Sequence, residues 1–102
     1  MKSETIYLEK QAIAFRDDAK EIEKLTKKVA KKYSIVYLDF SEVKFISRSF
    51  ADELINVQEK LKEKGVSLRM KNTASNVRQM ITLVRMTRRK ILRQTGSFKI
   101  YG

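Results

Sequence analysis

The side chains of this sequence that could do chemistry cluster between an apolar run and an amphipathic segment. Residues 39–54 read DFSEVKFISRSFADEL, in which an aspartate ends the apolar run and two serines flank an arginine. Hydroxyl groups at the start of a helix can cap the helix, and charged groups beside them can bind a partner. The candidate contact residues are Asp39, Ser47, Arg48, Ser49, Asp52 and Glu53.

Neither catalysis nor metal binding is well supported by these residues. The chain has no histidine and no cysteine, so it lacks the usual general base, the thiol nucleophile and the commonest metal ligands. Asp39, Asp52 and Glu53 could hold a hard cation, but they lack a defined loop spacing. No second catalytic partner or glycine-rich phosphate loop accompanies them. We therefore expect a protein that is not an enzyme and that needs no cofactor or metal.

The elements that must position the candidates follow from hydrophobic periodicity. Amphipathic helix patterns begin at three places, near Arg16, near Ser47 or Ser49, and near Thr73 or Ser75. The second has one apolar stripe and is predicted to end at Gly65; the stripe consists of Phe50, Leu54, Val57 and Leu61. Apolar or alternating runs predict strands at residues 5–15, 34–40, 66–70 and 97–101. The first run could instead be a tight hairpin broken near residues 9–11, and the last is an edge strand after a helix break at Thr95 and Gly96. This alternation predicts a single α/β domain over residues 1–102, with a mixed sheet of about four to five strands and about three helices.

Either serine could begin the second helix. Ser49 and Asp52 have the S-x-x-D form of a capping box, and Ser47 is the alternative N-cap. Both lie where a buried parallel strand is followed by a helix, which is where open α/β sheets usually place their functional residues. Capping would explain one serine, so the sequence leaves the role of the other open.

The same residues resemble the STAS domain, the module of anti-sigma-factor antagonists and of sulfate-transporter tails. That family reads as an apolar strand ending in D-L/F-S and then F-I/M-D-S-S-G before a helix, which is similar to residues 39–41 and 45–50 here. Residues 62–81 resemble the strand, loop and helix that follow in the family, and a STAS-like family with S-x-S-F-A-D-E-L resembles residues 47–54 most closely. The resemblance covers about residues 16–84 and implies a STAS-like fold.

The resemblance also implies a function. In anti-sigma-factor antagonists the second serine of D-S-S-G is phosphorylated by a kinase with a histidine-kinase-type ATPase fold, and this switches partner binding. Ser49 matches that serine by position, whereas Ser47, Arg48 and Phe50 replace the aspartate, the first serine and the glycine. The expected function is a non-enzymatic, regulatory protein-interaction module, switched at Ser49, with such an ATPase as a partner.

The positive charge of the chain is concentrated in its last third and supports an alternative. The net charge is +11, and residues 64–102 contain ten basic and no acidic side chains. Such asymmetry indicates an acidic partner, which could be nucleic acid, an acidic protein face or an anionic membrane surface, although many basic surfaces have no such partner.

A nucleic-acid-binding accessory protein would use the basic residues of the third helix pattern. Four of the six fall near one face at helical spacing, but no base-reading motif is present, so binding would be largely independent of base sequence. Arg88 falls on the apolar stripe, which predicts that the helix bends or ends near Met86 and Thr87. The six are Arg78, Arg85, Arg88, Arg89, Lys90 and Arg93.

Location and assembly follow from weaker signals. The first ten residues, MKSETIYLEK, carry charges where a secretory signal would be apolar, and no apolar run approaches the roughly 20 residues of a membrane span. We therefore expect a cytoplasmic protein that does not cross a membrane. The predicted edge strand and the apolar flank of the third helix would also allow a homodimer.

Overall fold

The described part of the chain contains five strands and three helices, in the order β-β-α-β-β-α-β-α. The computed structural model describes the backbone of residues 3–101 and the side chains of residues 3–88. Within that part, the elements are β1 Ser3–Tyr7, β2 Ala12–Ile13, α1 Arg16–Val29, β3 Ile35–Asp39, β4 Phe45–Ile46, α2 Arg48–Glu63, β5 Ser67–Lys71 and α3 Ser75–Tyr101. The predicted α/β architecture, with about three helices and four to five strands, is confirmed.

The strands form two sheets, and each pairing among the described residues is parallel. Strand β3 is the centre of a three-stranded sheet of order β1-β3-β5, and β2 pairs with β4 in a separate two-stranded sheet. Residues 5–15 therefore do not form a hairpin, because β1 pairs with β3 and β2 pairs with β4. The break at residues 8–11 falls where the sequence predicts one, but the two halves bond to different partners, and local alternation could not reveal that.

Among the described residues, helix α2 packs against more of the other elements than any other helix does. It packs against α1, α3 and β5, while α3 also contacts β4. The side chains that α2 turns inward follow helical spacing, as the sequence predicts, and all are buried: Phe50, Leu54, Val57 and Leu61. They belong to the same apolar cluster as Val36 and Leu38 of β3, which are fully buried. Because the central strand β3 is buried in the core, the end of the sheet that leads into α2 is held in a fixed position.

Helix α2 ends at the predicted glycine. Gly65 has a φ of +81°, a left-handed conformation that costs glycine little. Its N–H donates to the carbonyl of Lys62 at 3.0 Å, and the N–H of Val66 donates to the carbonyl of Leu61 at 2.9 Å. These two bonds are the Schellman pattern, which satisfies the last carbonyls of the helix and turns the chain toward β5.

Two predictions about the elements are wrong. Residues 97–101 are not an edge strand, because α3 continues through Thr95 and Gly96 to Tyr101. A single glycine inside a helix costs only about 1 kcal/mol relative to alanine, so it need not end the helix. The helix also does not end near Met86 and Thr87, because α3 continues to Tyr101, while a bend there stays a prediction. Arg88, on the apolar stripe, reaches oxygen atoms on α2.

Candidate partner-binding surface at the start of helix α2

Ser47 caps helix α2. Its backbone is extended, with φ of −80° and ψ of 162°, and its Oγ accepts a hydrogen bond from the N–H of Phe50 at 3.1 Å. The same hydroxyl donates to the carbonyl of Ala14 at 2.6 Å, and the Ser47 N–H donates to the carbonyl of Ile13 at 2.9 Å. The alternative cap is therefore the observed one, and the Ser49 capping box is wrong. Ser47 also ties the start of α2 to the segment before α1.

Ser49 lies in the first turn of α2 and is exposed, as is Arg48. Within residues 3–88, neither side chain makes a hydrogen bond or an ion pair. The backbone N–H groups of these two residues also lack acceptors there, because the cap satisfies Phe50 and the helix satisfies Ala51. The start of α2 thus presents a hydroxyl, a guanidinium and two unsatisfied N–H donors at the positive end of a helix dipole.

Asp52 and Glu53 face different neighbours. The carboxylate of Asp52 lies 3.5 Å from Arg88 on α3, and that of Glu53 lies 3.6 Å from Arg16 on α1. Each carboxylate therefore has a cation beside it, and the two do not converge with Asp39 on one point. Among the described residues, no group of three acidic side chains is placed to hold a metal ion.

Asp39 is a structural residue beneath the surface. Only 5% of it is exposed, and its carboxylate accepts hydrogen bonds from the Ser41 N–H at 2.8 Å and from the Asn72 amide at 3.1 Å. The hydrogen bonds from Ser41 lower the pKa of the Asp39 carboxyl the most, and Asn72 and Lys71 add to this effect. Asn72 has a φ of +58°, which asparagine tolerates better than most residues. Asp39 thereby joins the loop after β3 to the loop after β5.

Two exposed phenylalanines flank the start of α2, and sequence reasoning missed them. Phe15 is 72% exposed and Phe45 is 50% exposed. In the β2–β4 pair, Ala12 is opposite Phe45 and Ile13 is opposite Ile46, and the two isoleucines are buried. Because neighbouring strand residues point to opposite faces, Phe45 must point outward. The pairing of β2 with β4 was the missing signal, since Phe45 taken alone resembles a core residue.

A family model for the STAS domain matches residues 10–99. The chain belongs to the STAS domain family. Its fold is accordingly that of anti-sigma-factor antagonists, and STAS domains are generally non-enzymatic regulatory modules that interact with protein partners. Comparison with curated proteins gave no match, and comparison with solved structures gave none either. Among the described helices, none is both long and apolar enough to cross a membrane.

The basic tail candidates on α3 are engaged within the fold wherever their side chains are described. Arg78 donates to the carbonyl of Thr73 at 3.2 Å, and Arg85 donates to the side chain of Gln58 at 2.8 Å. The side chains of the other tail candidates, Arg89, Lys90 and Arg93, lie outside the described residues.

Arg88 is the most heavily bonded of these arginines. Its Nη2 donates to the Asp52 carbonyl at 2.9 Å and to the Asn56 side chain at 2.7 Å, and its Nη1 lies 3.6 Å from the Glu59 carboxylate. Arg88 therefore fastens α3 along one side of α2. The nucleic-acid alternative stays a prediction, but Arg88 would have to leave these partners to contact a phosphate.

Proposed function

We propose that this STAS domain is a non-enzymatic regulatory module that binds a protein partner at the start of α2 and is switched by phosphorylation of Ser49. The contact surface consists of Phe15, Phe45, Arg48 and Ser49, which we call the α2-start surface. One observation supports the proposal above the others. Ser47 performs the capping, so the exposed Ser49 hydroxyl has no structural task within the described residues.

The surroundings of Ser49 suit a phosphate. A phosphoryl group there would meet the unsatisfied N–H groups of the first turn, the positive end of the helix dipole and the adjacent Arg48. The carboxylates that could repel it, Asp52 and Glu53, each lie beside an arginine. Phe50 stands where the family has glycine, but its side chain is fully buried and leaves the surface above it open.

The phosphate would change what the surface can bind. Without it, the α2-start surface combines two exposed aromatic rings with a positive charge, which suits a partner with an apolar pocket and an acidic rim. A phosphoryl group adds close to two negative charges and would reverse the sign of the surface. By the family resemblance, we propose that the kinase is a histidine-kinase-type ATPase and that both proteins are cytoplasmic.

Affinity capture from extract of the native cells tests this proposal. The baits would be the unchanged protein, Ser49→Ala, Ser49→Asp and Thr82→Asp, which adds the same charge at an exposed position on α3. We expect a discrete protein that the unchanged bait and Ser49→Ala retain, that Ser49→Asp loses, and that Thr82→Asp retains. Capture should survive high salt and nuclease, because apolar anchors rather than phosphate contacts hold the complex.

Mass spectrometry of the protein isolated from those cells gives the complementary measurement. A phosphorylated peptide with the phosphate at Ser49 is the expected product, and the neighbouring serines at residues 41, 47 and 67 should remain unmodified. Equal loss of partner with Ser49→Asp and Thr82→Asp would contradict the switch. Recovery of nucleic acid alone, released by salt, would favour the basic tail as the active surface.

A further inference from the structure

A groove of about 850 Å³ lies between the C-terminal half of α2, β5 and α3. Gln58, in its wall, is about 14 Å from Ser49 along the axis of α2 at 1.5 Å per residue, so the groove is separate from the α2-start surface. Three buried apolar side chains form its floor, namely Ile55, Val66 and Leu68. Its rim carries charged side chains, which decide what it can hold.

The rim has more positive charge than its carboxylates neutralise. Arg88 lies 3.6 Å from Glu59, so these two charges are paired. Lys62, Arg69 and Arg85 also line the groove, and among the described side chains none of the three has a carboxylate partner. An anionic ligand would therefore find three cations over an apolar floor.

The edge of the sheet beside the groove is already covered. Strand β5 is an edge strand, and its Lys71 carbonyl points toward β3, where it accepts a hydrogen bond from the N–H of Phe40 at 3.0 Å. Backbone carbonyls alternate in direction along a strand, so the Leu68 carbonyl points away from β3 and toward the groove. There it accepts a hydrogen bond from the side-chain amide of Gln58 at 2.7 Å. Arg85 Nη2 donates a hydrogen bond to Oε1 of the same Gln58 side chain at 2.8 Å. An added strand would have to displace Gln58, whereas a helix could insert side chains without doing so.

We propose that this groove binds an acidic amphipathic helix of a partner protein. Apolar side chains of that helix would contact the floor, and its carboxylates would contact Lys62, Arg69 and Arg85. Single-stranded nucleic acid fits less well, because none of the residues that line the groove is aromatic and the bases would have no ring to stack on. The inference goes beyond the proposed function, since it concerns a second surface that does not include Ser49.

Fluorescence anisotropy with defined probes tests the proposal. The first probe is a labelled peptide of about 15 residues, with glutamates on one helical face and leucines on the other. The second has the leucines replaced by glutamine, and the third is a single-stranded DNA oligonucleotide of equal charge. The salt concentration is about 0.15 M, where the Debye length is about 8 Å. The variants are Lys62→Gln/Arg69→Gln, the matched control Lys20→Gln/Lys24→Gln on α1, and Ser49→Asp.

The acidic, leucine-bearing peptide should bind most tightly. The groove double variant should weaken its affinity about tenfold, because two charge-assisted contacts are lost, while the α1 control and Ser49→Asp change it by less than about twofold. The glutamine peptide should bind at least about tenfold more weakly, since it cannot use the floor. Absence of binding, equal effects of the two double variants, a large effect of Ser49→Asp, or equal binding of the glutamine peptide or the DNA would each overturn the proposal.

Discussion

The start of α2 and residues 78–88 of α3 are both candidate contact surfaces in the sequence, yet their side chains are engaged very differently in the fold. Arg48 and Ser49 are exposed and make no side-chain hydrogen bonds among the described residues. On α3, each arginine described donates to an oxygen atom of the protein itself. The cause is the surroundings: Ser47 satisfies the cap at the start of α2, whereas α3 lies against polar side chains of α2. A charged residue in a sequence is therefore no measure of a free binding surface.

The largest expected effect distinguishes a buried from an exposed phenylalanine near the start of α2. Phe50→Ala should lower the free energy of unfolding by about 3–5 kcal/mol, because it removes a fully buried ring from the core. Phe45→Ala makes the same chemical change at a half-exposed position and should cost clearly less. Urea unfolding of both variants measures the difference. Similar losses would mean that Phe45 belongs to the core and would remove it from the α2-start surface.

The second effect concerns the arginine that fastens α3 to α2. Arg88→Met keeps much of the apolar stem but loses the bonds to Asp52, Asn56 and Glu59, and we expect a loss of about 1–2 kcal/mol. Arg78→Met removes a single hydrogen bond at an exposed site and should cost no more than about 0.5 kcal/mol. Equal unfolding midpoints for the two variants would show that the bonds of Arg88 do not stabilise the fold. The α3 arginines would then be available to contact an anionic partner.

The third effect separates the two serines. Ser47→Ala should destabilise the protein by about 1 kcal/mol, because the first turn of α2 loses its cap and the Ala14 carbonyl loses its donor. Ser49→Ala should change the free energy of unfolding by less than about 0.5 kcal/mol. Thermal or urea unfolding of the pair provides the measurement, with each serine serving as the control for the other. A larger loss at Ser49 would mean that it has a structural partner.

Much of this architecture could be predicted from local patterns. The start of α1 at Arg16, the end of α2 at Gly65 and the buried strand β3 each follow from periodicity or from a capping residue. The STAS resemblance carried by residues 39–54 is confirmed by the family match. These features depend on a few neighbouring residues, so one chain is enough to find them.

What could not be predicted depends on contacts between distant residues. Ser47, the observed cap, also donates a hydrogen bond to the carbonyl of Ala14, which lies far away in the chain. The exposure of Phe45 follows from the pairing of β2 with β4, and one hydrogen-bond donor to Asp39 is Asn72 on the loop after β5. A sequence read along one strand or helix contains none of these partners.

The smallest expected effect tests whether Asp39 belongs to the contact surface or to the framework beneath it. Hydrogen bonds from Ser41, and then Asn72, lower the pKa of Asp39 below its ordinary value of 3.8. The folded state therefore releases this proton more readily than the unfolded chain does. Its contribution to stability is complete above that ordinary value and is lost as the pH falls below it toward the folded-state pKa.

Asp39→Asn removes this dependence while keeping the size of the side chain. Urea unfolding at about pH 6 and about pH 3 should show a larger fall in stability for the unchanged protein than for the variant, because only the unchanged protein has this carboxylate to protonate. Asp17→Asn, at an exposed carboxylate in the first turn of α1, is the matched control and should leave most of the fall in place. If the variant and the unchanged protein lost equal stability on acidification, the Asp39 carboxylate would not be held by its neighbours. Asp39 would then again be a candidate contact residue, as Arg48 and Ser49 are.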